Sequence, residues 1–505
     1  MSRHTPDLPL PNLQLDAAAD LPLHRQLYQQ LRAAIASGQL KPGIRLPSTR
    51  ALAKELGVSR ITTSEAYRDL LAEGYLEAKV GAGTVVARKL PELFLNAERA
   101  NQPPTGERMQ GERESPDRSP ARLSQWGRQL AATTTPAWVV ASNTIRPFRL
   151  GTPAFDAIPH QAWSRTVARA AKLAATTQLD YRAPAGYHPL RAAIAAYLSV
   201  ARGVHCTADQ VIVVAGAQAG LALITRLLLD PQDTVWMEDP GYSMAQKHFR
   251  VAGANLLPIP VDSEGLRVTD GIARCPSARL AYVTPSHQFP LGVTMSYARR
   301  RALLQWAQQT SAWIIEDDYD SEYRYQGRPI PALQGLDEAG RVIYVGTFSK
   351  VFFPALRLGY LVVPPTLVDY FTAAQHLMSF HPPALEQVAM TEFMVSGDFT
   401  RHIRRMRGLY AERRNALLTD TARLLDDQLQ LERTPSGLQL VGWLPTGVDE
   451  WEMARLAEQQ GVLVYPLSAF RLGAADRKGL VLGFAAFDEA AIKTGVEKLA
   501  RAWVR

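Results

Sequence analysis

VIYVGTFSKVFFPALRLGY (342–360) decides the fold of the larger part of this 505-residue chain. Its first half is an apolar, β-branched run with no polar face, as in a strand covered on both sides of a parallel sheet, and it stops in a small polar turn. Lys350 therefore stands on a loop at the carboxyl end of a buried strand, where ligands of open α/β sheets collect. Outward from it, VIVVAG (211–216), DTVWMED (233–239), LAYVTP (280–285) and AWIIEDD (312–318) repeat the pattern, with helical periodicities between them. Alternation of this kind predicts a mainly parallel α/β sheet.

Several groups that can act on a ligand lie in the same frame. Lys350 offers an amine nucleophile, and Thr347, Ser349 and Arg357 offer hydroxyl and guanidinium donors of the kind a phosphate needs. WIIEDDYD (313–320) ends another buried strand in carboxylates followed by a phenol. VVAGAQAGLALI (213–224) is a strand, a glycine turn and a helix start whose free backbone N–H groups suit a phosphate. EDPGY (238–242) adds an aromatic ring after the next strand. Together these have what a lysine-bound pyridoxal phosphate requires, since a carboxylate beside a pyridinium nitrogen keeps that ring an electron sink.

The front of the chain reads differently. LHRQLYQQLRAAIASGQLKPG (23–43) places Leu27, Leu31 and Ile35 on one face of a helix that Gly38 helps to stop. Ser48 caps a second helix, with Gly57 in the turn after it, and Ser59 caps a third, SRITTSEAYRDLLAEG. In that third helix Ile61, Ala66, Leu70 and Leu71 are expected to pack, while Arg60, Thr62, Thr63 and Ser64 project. Short polar and basic side chains at a helix start are what a major-groove reader needs. YLEAKVGAGTVVA (75–87) follows as a hairpin bent at Gly81 and Gly83 and flanked by Lys79. Eleven Lys and Arg stand against five Asp and Glu between Arg25 and Lys89, most of the excess in a chain of net charge +8.

Composition bounds the rest. With 47% apolar residues the chain is too long for one ordinary core. It has no apolar run long enough to cross a membrane and no signal-peptide pattern at its start, so a cytoplasmic protein is expected. Cys206 and Cys275 form no CxxC pair, and neither a disulfide framework nor a metal site is expected. PPTGERMQGERESPDRSP (103–120), rich in Pro, Gly, Ser and mixed charge, reads as a flexible, extended linker. The organisation expected is a DNA reader over 20–88, a linker over 89–144 and a ligand-binding body over 145–505.

RLPSTRALAKELGVSRIT (45–62), AYRDLLAEGYL (66–76) and the GAGT hairpin resemble the GntR family of winged-helix regulators. That resemblance implies DNA contacts by Arg45, Arg50 and Arg60, supported by Thr62 and Lys79. The body resembles fold-type I aminotransferases, which implies a small C-terminal α/β subdomain after the main sheet. It also implies Lys350 in a Schiff base with pyridoxal phosphate, Asp317 paired with the ring nitrogen and Tyr319 on the phenolic oxygen. Tyr242 would stack on the ring, and the backbone of Ala217 and Gln218, with Thr347, Ser349 and Arg357, would hold the phosphate. Both parts on one chain, with the wording of TPSHQFPLGVTMS (284–296) and EDDYDSEYRY (316–325), resemble the MocR/GabR subfamily of bacterial regulators. Likeness to that subfamily implies operator DNA as a partner, a head-to-tail homodimer, and an amine, an amino acid or pyridoxal phosphate itself as effector.

Two positions depart from the aminotransferase pattern. Phe289 stands before Pro290, where the enzymes carry an Asn supporting the cofactor's phenolic oxygen, so His287, Gln288 or Tyr319 must serve that oxygen. Val481 in LVLGF (480–484) stands where they carry a carboxylate-binding Arg, with Arg471 the nearest substitute. Both weaken transamination more than cofactor binding. The rival readings are a working aminotransferase that also binds DNA, and a GntR regulator whose body has lost the cofactor.

Overall fold

The computed structural model describes residues 13–17, 19, 21–79, 83–88, 122–133, 146–177, 180–327, 330–474 and 477–503. The chain divides into two compact units, 1–120 and 121–505.

The first unit is built on three helices, α1 (Leu23–Ala36), α2 (Thr49–Leu56) and α3 (Arg60–Ala72), and an antiparallel hairpin of β1 (Leu76–Lys79) and β2 (Gly83–Val86). Leu27, Leu31 and Ile35 are buried together with Leu52, Ala66 and Leu70 in one core. The caps follow the side chains available: the Ser48 hydroxyl accepts from the Ala51 amide and that of Ser59 from the Thr62 amide, while Gly57 ends α2 in the left-handed conformation. The hairpin tip, including Gly81, lies outside the described residues.

Of the expected linker, residues 122–133 are described, and they are not extended: they form the helix Gln125–Ala132, capped by Ser124. It packs on the helix Ser243–Val251, with the Arg226 guanidinium 5.6 Å from the Trp126 ring centre.

The body carries an eight-stranded sheet in the order β3-β10-β9-β8-β7-β4-β5-β6. Its members are β3 (Val211–Val214), β4 (Thr234–Asp239), β5 (Asn255–Asp262), β6 (Gly265–Leu266), β7 (Leu280–Val283), β8 (Trp313–Asp318), β9 (Val342–Thr347) and β10 (Gly359–Val362). The five strands read from sequence are all present, and β5, β4, β7, β8 and β9 run parallel. β10 runs antiparallel between β9 and β3, and β6 antiparallel to β5. Helices cover the sheet, which is why strands such as VIVV are buried at every position. A second, antiparallel sheet of β11 (Gln430–Leu431), β12 (Gln439–Trp443), β13 (Tyr465–Pro466) and β14 (Gly479–Gly483) forms the C-terminal subdomain with the helices Glu450–Gln459 and Glu489–Trp503. The long helix Asp398–Leu425 leads into it.

Candidate functional site

The carboxyl ends of β3, β4, β8 and β9 bring the expected residues of the body together. Lys350 sits in the turn after β9, its Nζ donating to the Gly151 carbonyl at 2.8 Å. Gly151 has φ +63°, and a Cβ there would fall 2.3 Å from Nζ, so only glycine leaves the amine its place. Burial lowers the Lys350 pKa, against the pull of Asp320 and Asp317 toward the charged form. Asp317, at the end of β8, accepts from the Tyr282 hydroxyl at 2.5 Å. Burial pushes its carboxyl up to about 6, while the Tyr282 bond and the Lys350 charge oppose the rise.

A second group forms at the head of the helix Ala217–Leu228. Its first amides, on Ala217 and Gln218, have no acceptor one turn earlier. Gly216 precedes them at φ +89°, and a Cβ there would meet the Arg357 guanidinium at 3.4 Å. Arg357 donates to the Ala215 carbonyl at 2.8 Å, and Thr347 accepts the Ser349 amide at 3.1 Å. β10 explains the convergence: Gly359 pairs with Val214 on one side and Thr347 on the other, joining the glycine turn to the lysine loop. The Gln218 amide donates to the Tyr242 hydroxyl at 2.9 Å, and its oxygen contacts His248 Nε2 at 2.8 Å.

Tyr319 is held from two sides. Gln439 Nε2 donates to its hydroxyl at 3.0 Å, and His287 Nδ1 lies 2.8 Å from it and 3.0 Å from Asp320 Oδ1. A Cβ on Gly437 would fall 1.8 Å from His287 Cε1, so the imidazole rests on bare backbone. Gln288 has no amide hydrogen to spare: Nε2 donates toward Glu238 and to the carbonyls of Pro240 and Phe289. Of the three groups expected to serve in place of the missing Asn, Gln288 is thus spent on Glu238, Pro240 and Phe289, and His287 Nδ1 is shared between Asp320 and Tyr319.

The two departures share a wall. Phe289 and Val481 belong to one apolar cluster with Phe470, whose ring lies 5.2 Å from that of Phe289. Phe289 also meets Tyr242 edge-on at 5.6 Å. Arg471 follows Phe470, with Nε buried and unpartnered, and Asp239 fastens this loop by accepting the amides of Leu472 and Gly473. Sequence reasoning did not find Tyr282, Asp320, Gln439 or Gly151 in these roles. Asp320 was visible in EDDYD, but the others carry no motif.

In the reader, Arg45, Arg50 and Arg60 are exposed, and Arg45 lies against the hairpin, where a Cβ on Gly83 would be 3.0 Å from its Nε. Lys79 pairs with Gly83 in the hairpin, and the Thr62 hydroxyl contacts that of Ser59 at 2.9 Å. Two expectations are corrected, that Ile61 packs and that Thr63 projects. Ile61 does not pack: it is 71% exposed, while Thr63 is fully buried, its hydroxyl donating to the Thr49 carbonyl at 2.8 Å.

Comparison with known proteins agrees with both halves. Residues 23–86 match the family model "Bacterial regulatory proteins, gntR family", and residues 150–499 match "Aminotransferase class I and II". The "Probable rhizopine catabolism regulatory protein MocR" of Rhizobium meliloti is 42% identical over 97% of this chain and 96% of its own length. The chain belongs to the MocR/GabR subfamily of GntR transcription regulators. Other relatives of this subfamily chain are TauR of Rhodobacter capsulatus, 33% identical over 95% of this chain and 96% of its own, and the pyridoxine biosynthesis regulator PdxR of Corynebacterium glutamicum, 32% identical over 92% of each. Among solved structures, kynurenine aminotransferase of Pyrococcus horikoshii matches 75% of this chain and 94% of its own with a TM-score of 0.67 and 28% identity. The protein is thus a transcriptional regulator with a GntR DNA-binding domain and a fold-type I aminotransferase-like domain. No helix among the described residues is long and apolar enough to cross a membrane.

The site's donor set fits pyridoxal phosphate: a buried amine eased toward its neutral form, a carboxylate beside it, and a guanidinium at a helix head kept open by Gly216.

Proposed function

We propose that this regulator carries pyridoxal phosphate on Lys350 and senses an amine-class effector through it, altering how paired readers sit on operator DNA. The supporting observation is the buried Lys350 amine, held between Asp317, Asp320 and the Gly151 carbonyl beside the Arg357 cluster. Arg357, Thr347, Ser349 and the amides of Ala217 and Gln218 would hold the phosphate, Asp317 the ring nitrogen, Tyr319 the phenolic oxygen and Tyr242 the ring face. Bound there, the cofactor supplies an electrophilic carbon for which Lys350 and an incoming amine compete. The chain's own groups set the terms. Burial helps Lys350 shed its proton, and Asp317, titrating near 6, is mostly carboxylate at neutral pH.

The class of effector extends from the relatives' names: one regulates rhizopine catabolism and another pyridoxine biosynthesis. An amine, an amino acid or the cofactor itself falls within that range, with Arg471 the anchor for an acid group. The apolar wall of Phe289, Phe470 and Val481 favours a sensor over a working aminotransferase. Arg45, Arg50, Arg60, Thr62 and Lys79 would contact DNA. A cytoplasmic, head-to-tail homodimer is the assembly we assign. In favour of self-association, Tyr181 stacks on Phe380 at 5.1 Å and the two lie exposed, as do Tyr370 and Leu377.

Borohydride reduction of protein incubated with pyridoxal phosphate tests the central assignment. Mass spectrometry should find the added group on the Lys350 peptide, and Lys350→Ala should lose both the label and the visible absorption band while keeping its far-UV spectrum. A label elsewhere, or none, would overturn it.

A further inference from the structure

Behind the Lys350 pocket lies a second cavity, of about 200 Å³, walled by the helix His188–Arg202, the segment after β8, the long helix Asp398–Leu425 and the loop before β12. Successive side chains of a strand point to opposite faces, and here they divide the two pockets. Asp317 faces Lys350 and Tyr282, whereas Asp318 accepts from Arg202 Nε at 2.8 Å and from the Tyr344 hydroxyl at 2.6 Å. In the loop after β7, His287 meets Tyr319, while its neighbour Ser286 accepts from Arg202 at 2.6 Å.

The cavity holds more positive charge than its partners account for. Arg202 is paired with Asp318, but among the described residues no carboxylate lies within 4 Å of Arg324 or Arg407. Arg324 Nε is buried without a hydrogen-bond partner among the described residues, where Arg407 donates to the Glu322 carbonyl alone, at 3.1 Å. Ser436, 2% exposed, lines the cavity with its hydroxyl unpartnered. The one acid in the wall, Glu322, accepts the Tyr197 hydroxyl at 3.1 Å, and burial pushes its carboxyl up to about 7. The buried, unpartnered Arg324 Nε and Ser436 hydroxyl carry a desolvation cost that an oxyanion in contact with them would relieve; Arg407, exposed at the rim, adds charge, and a guanidinium fork matches phosphate geometry.

We infer that this cavity is a binding site for a phosphate group, inorganic or on a small phosphomonoester, held by Arg324, Arg407 and Ser436 and separate from the Lys350 pocket. Its position gives occupancy a consequence. Arg324 and Ser436 face each other in a backbone bridge that joins the main-sheet part of the body to the C-terminal subdomain. Beside it, the Tyr325 hydroxyl donates to the Gly437 carbonyl at 2.6 Å, and Gly437 is the residue under the His287 ring. A phosphate bridging Arg324 and Ser436 tightens this seam.

The test is thermal unfolding and titration calorimetry of the full chain with inorganic phosphate and, separately, methyl phosphate, in a non-phosphate buffer at constant ionic strength. Wild type should bind saturably and gain stability, with a preference for methyl phosphate marking a metabolite ester and equal binding marking inorganic phosphate. Arg324→Met should weaken binding by about tenfold or more. Arg407→Gln, at an exposed helix position, should do the same and covers the case in which Arg324→Met does not fold. Arg357→Ala, which disarms the other phosphate-ready cluster, should retain the effect. No saturable binding, or binding unchanged in Arg407→Gln, or binding lost only in Arg357→Ala, overturns the proposal.

Discussion

Tyr282 shows how a residue without a motif can govern one that has a motif. Asp317 was legible because it closes a strand in a run of carboxylates, but the group that keeps it ionised comes from the neighbouring strand, 35 positions away. Spacing within one element cannot reveal such a partner, and the same holds for Gln439 behind Tyr319, 120 positions distant. Removing a hydrogen bond to a buried charge costs roughly 1.5–3 kcal/mol. Tyr282→Phe should therefore raise the Asp317 pKa above its value near 6 and weaken pyridoxal phosphate binding at pH 7 by about tenfold or more. The affinity should recover partly as pH rises and Asp317 ionises. Fluorescence titration with the cofactor at pH 7 and pH 8.5 measures both, and an unchanged affinity at pH 7 would remove Asp317 from the binding role.

At the scale of elements, the strands and the reader's core were legible because burial imposes a pattern on every residue, while the first turn of α3 was misread. Apolar character alone predicted that Ile61 packs. Thr63 takes the buried place because its hydroxyl finds the Thr49 carbonyl, and Ile61 is turned outward beside Arg60. An exposed branched side chain at a recognition-helix start suits the thymine methyl group. Ile61→Ser should therefore relax operator preference at one base pair by about 1 kcal/mol. Arg60→Ala should cost about 1–3 kcal/mol on the specific site if the guanidinium reads a base edge. Equal losses on operator and random DNA would make both backbone contacts only. The long helix Asp398–Leu425 carries its own pH signature. His402, buried, has Nε2 3.0 Å from the Val351 carbonyl, next to Lys350, and burial lowers its pKa to about 4. The folded form thus takes up this proton later than the unfolded chain, whose histidine titrates near 6.5. The stabilisation is complete above about 6.5 and is lost as pH falls toward 4, by up to roughly 3 kcal/mol. Urea midpoints at pH 7 and pH 4.5 should fall further for wild type than for His402→Gln.

For the whole molecule, composition pointed to a charged, Pro-rich linker, but the helix Gln125–Ala132 within it was not readable, since its anchor on Ser243–Val251 is a tertiary contact. Turnover is the property that engages all of the body at once. A transaminase must hold both the cofactor and the substrate carboxylate through each proton transfer, because small misplacements of reacting groups are costly in rate. Here the wall that would carry those two supports is one apolar cluster of Phe289, Phe470 and Val481. Each missing charged hydrogen bond is worth roughly 1.5–3 kcal/mol, so one loss alone costs about ten- to a hundredfold in productive binding or rate. An amine effector should therefore shift the visible spectrum and change operator affinity, while transamination with a saturating keto acid stays far below that of a dedicated aminotransferase. The comparison needs amino donors with and without an α-carboxylate. If Arg471 anchors the acid group, Arg471→Ala should weaken the spectral response to carboxylate-bearing donors and leave simple amines unaffected. Multiple turnovers at ordinary enzymatic rates with any donor would instead make the chain a working aminotransferase that also binds DNA.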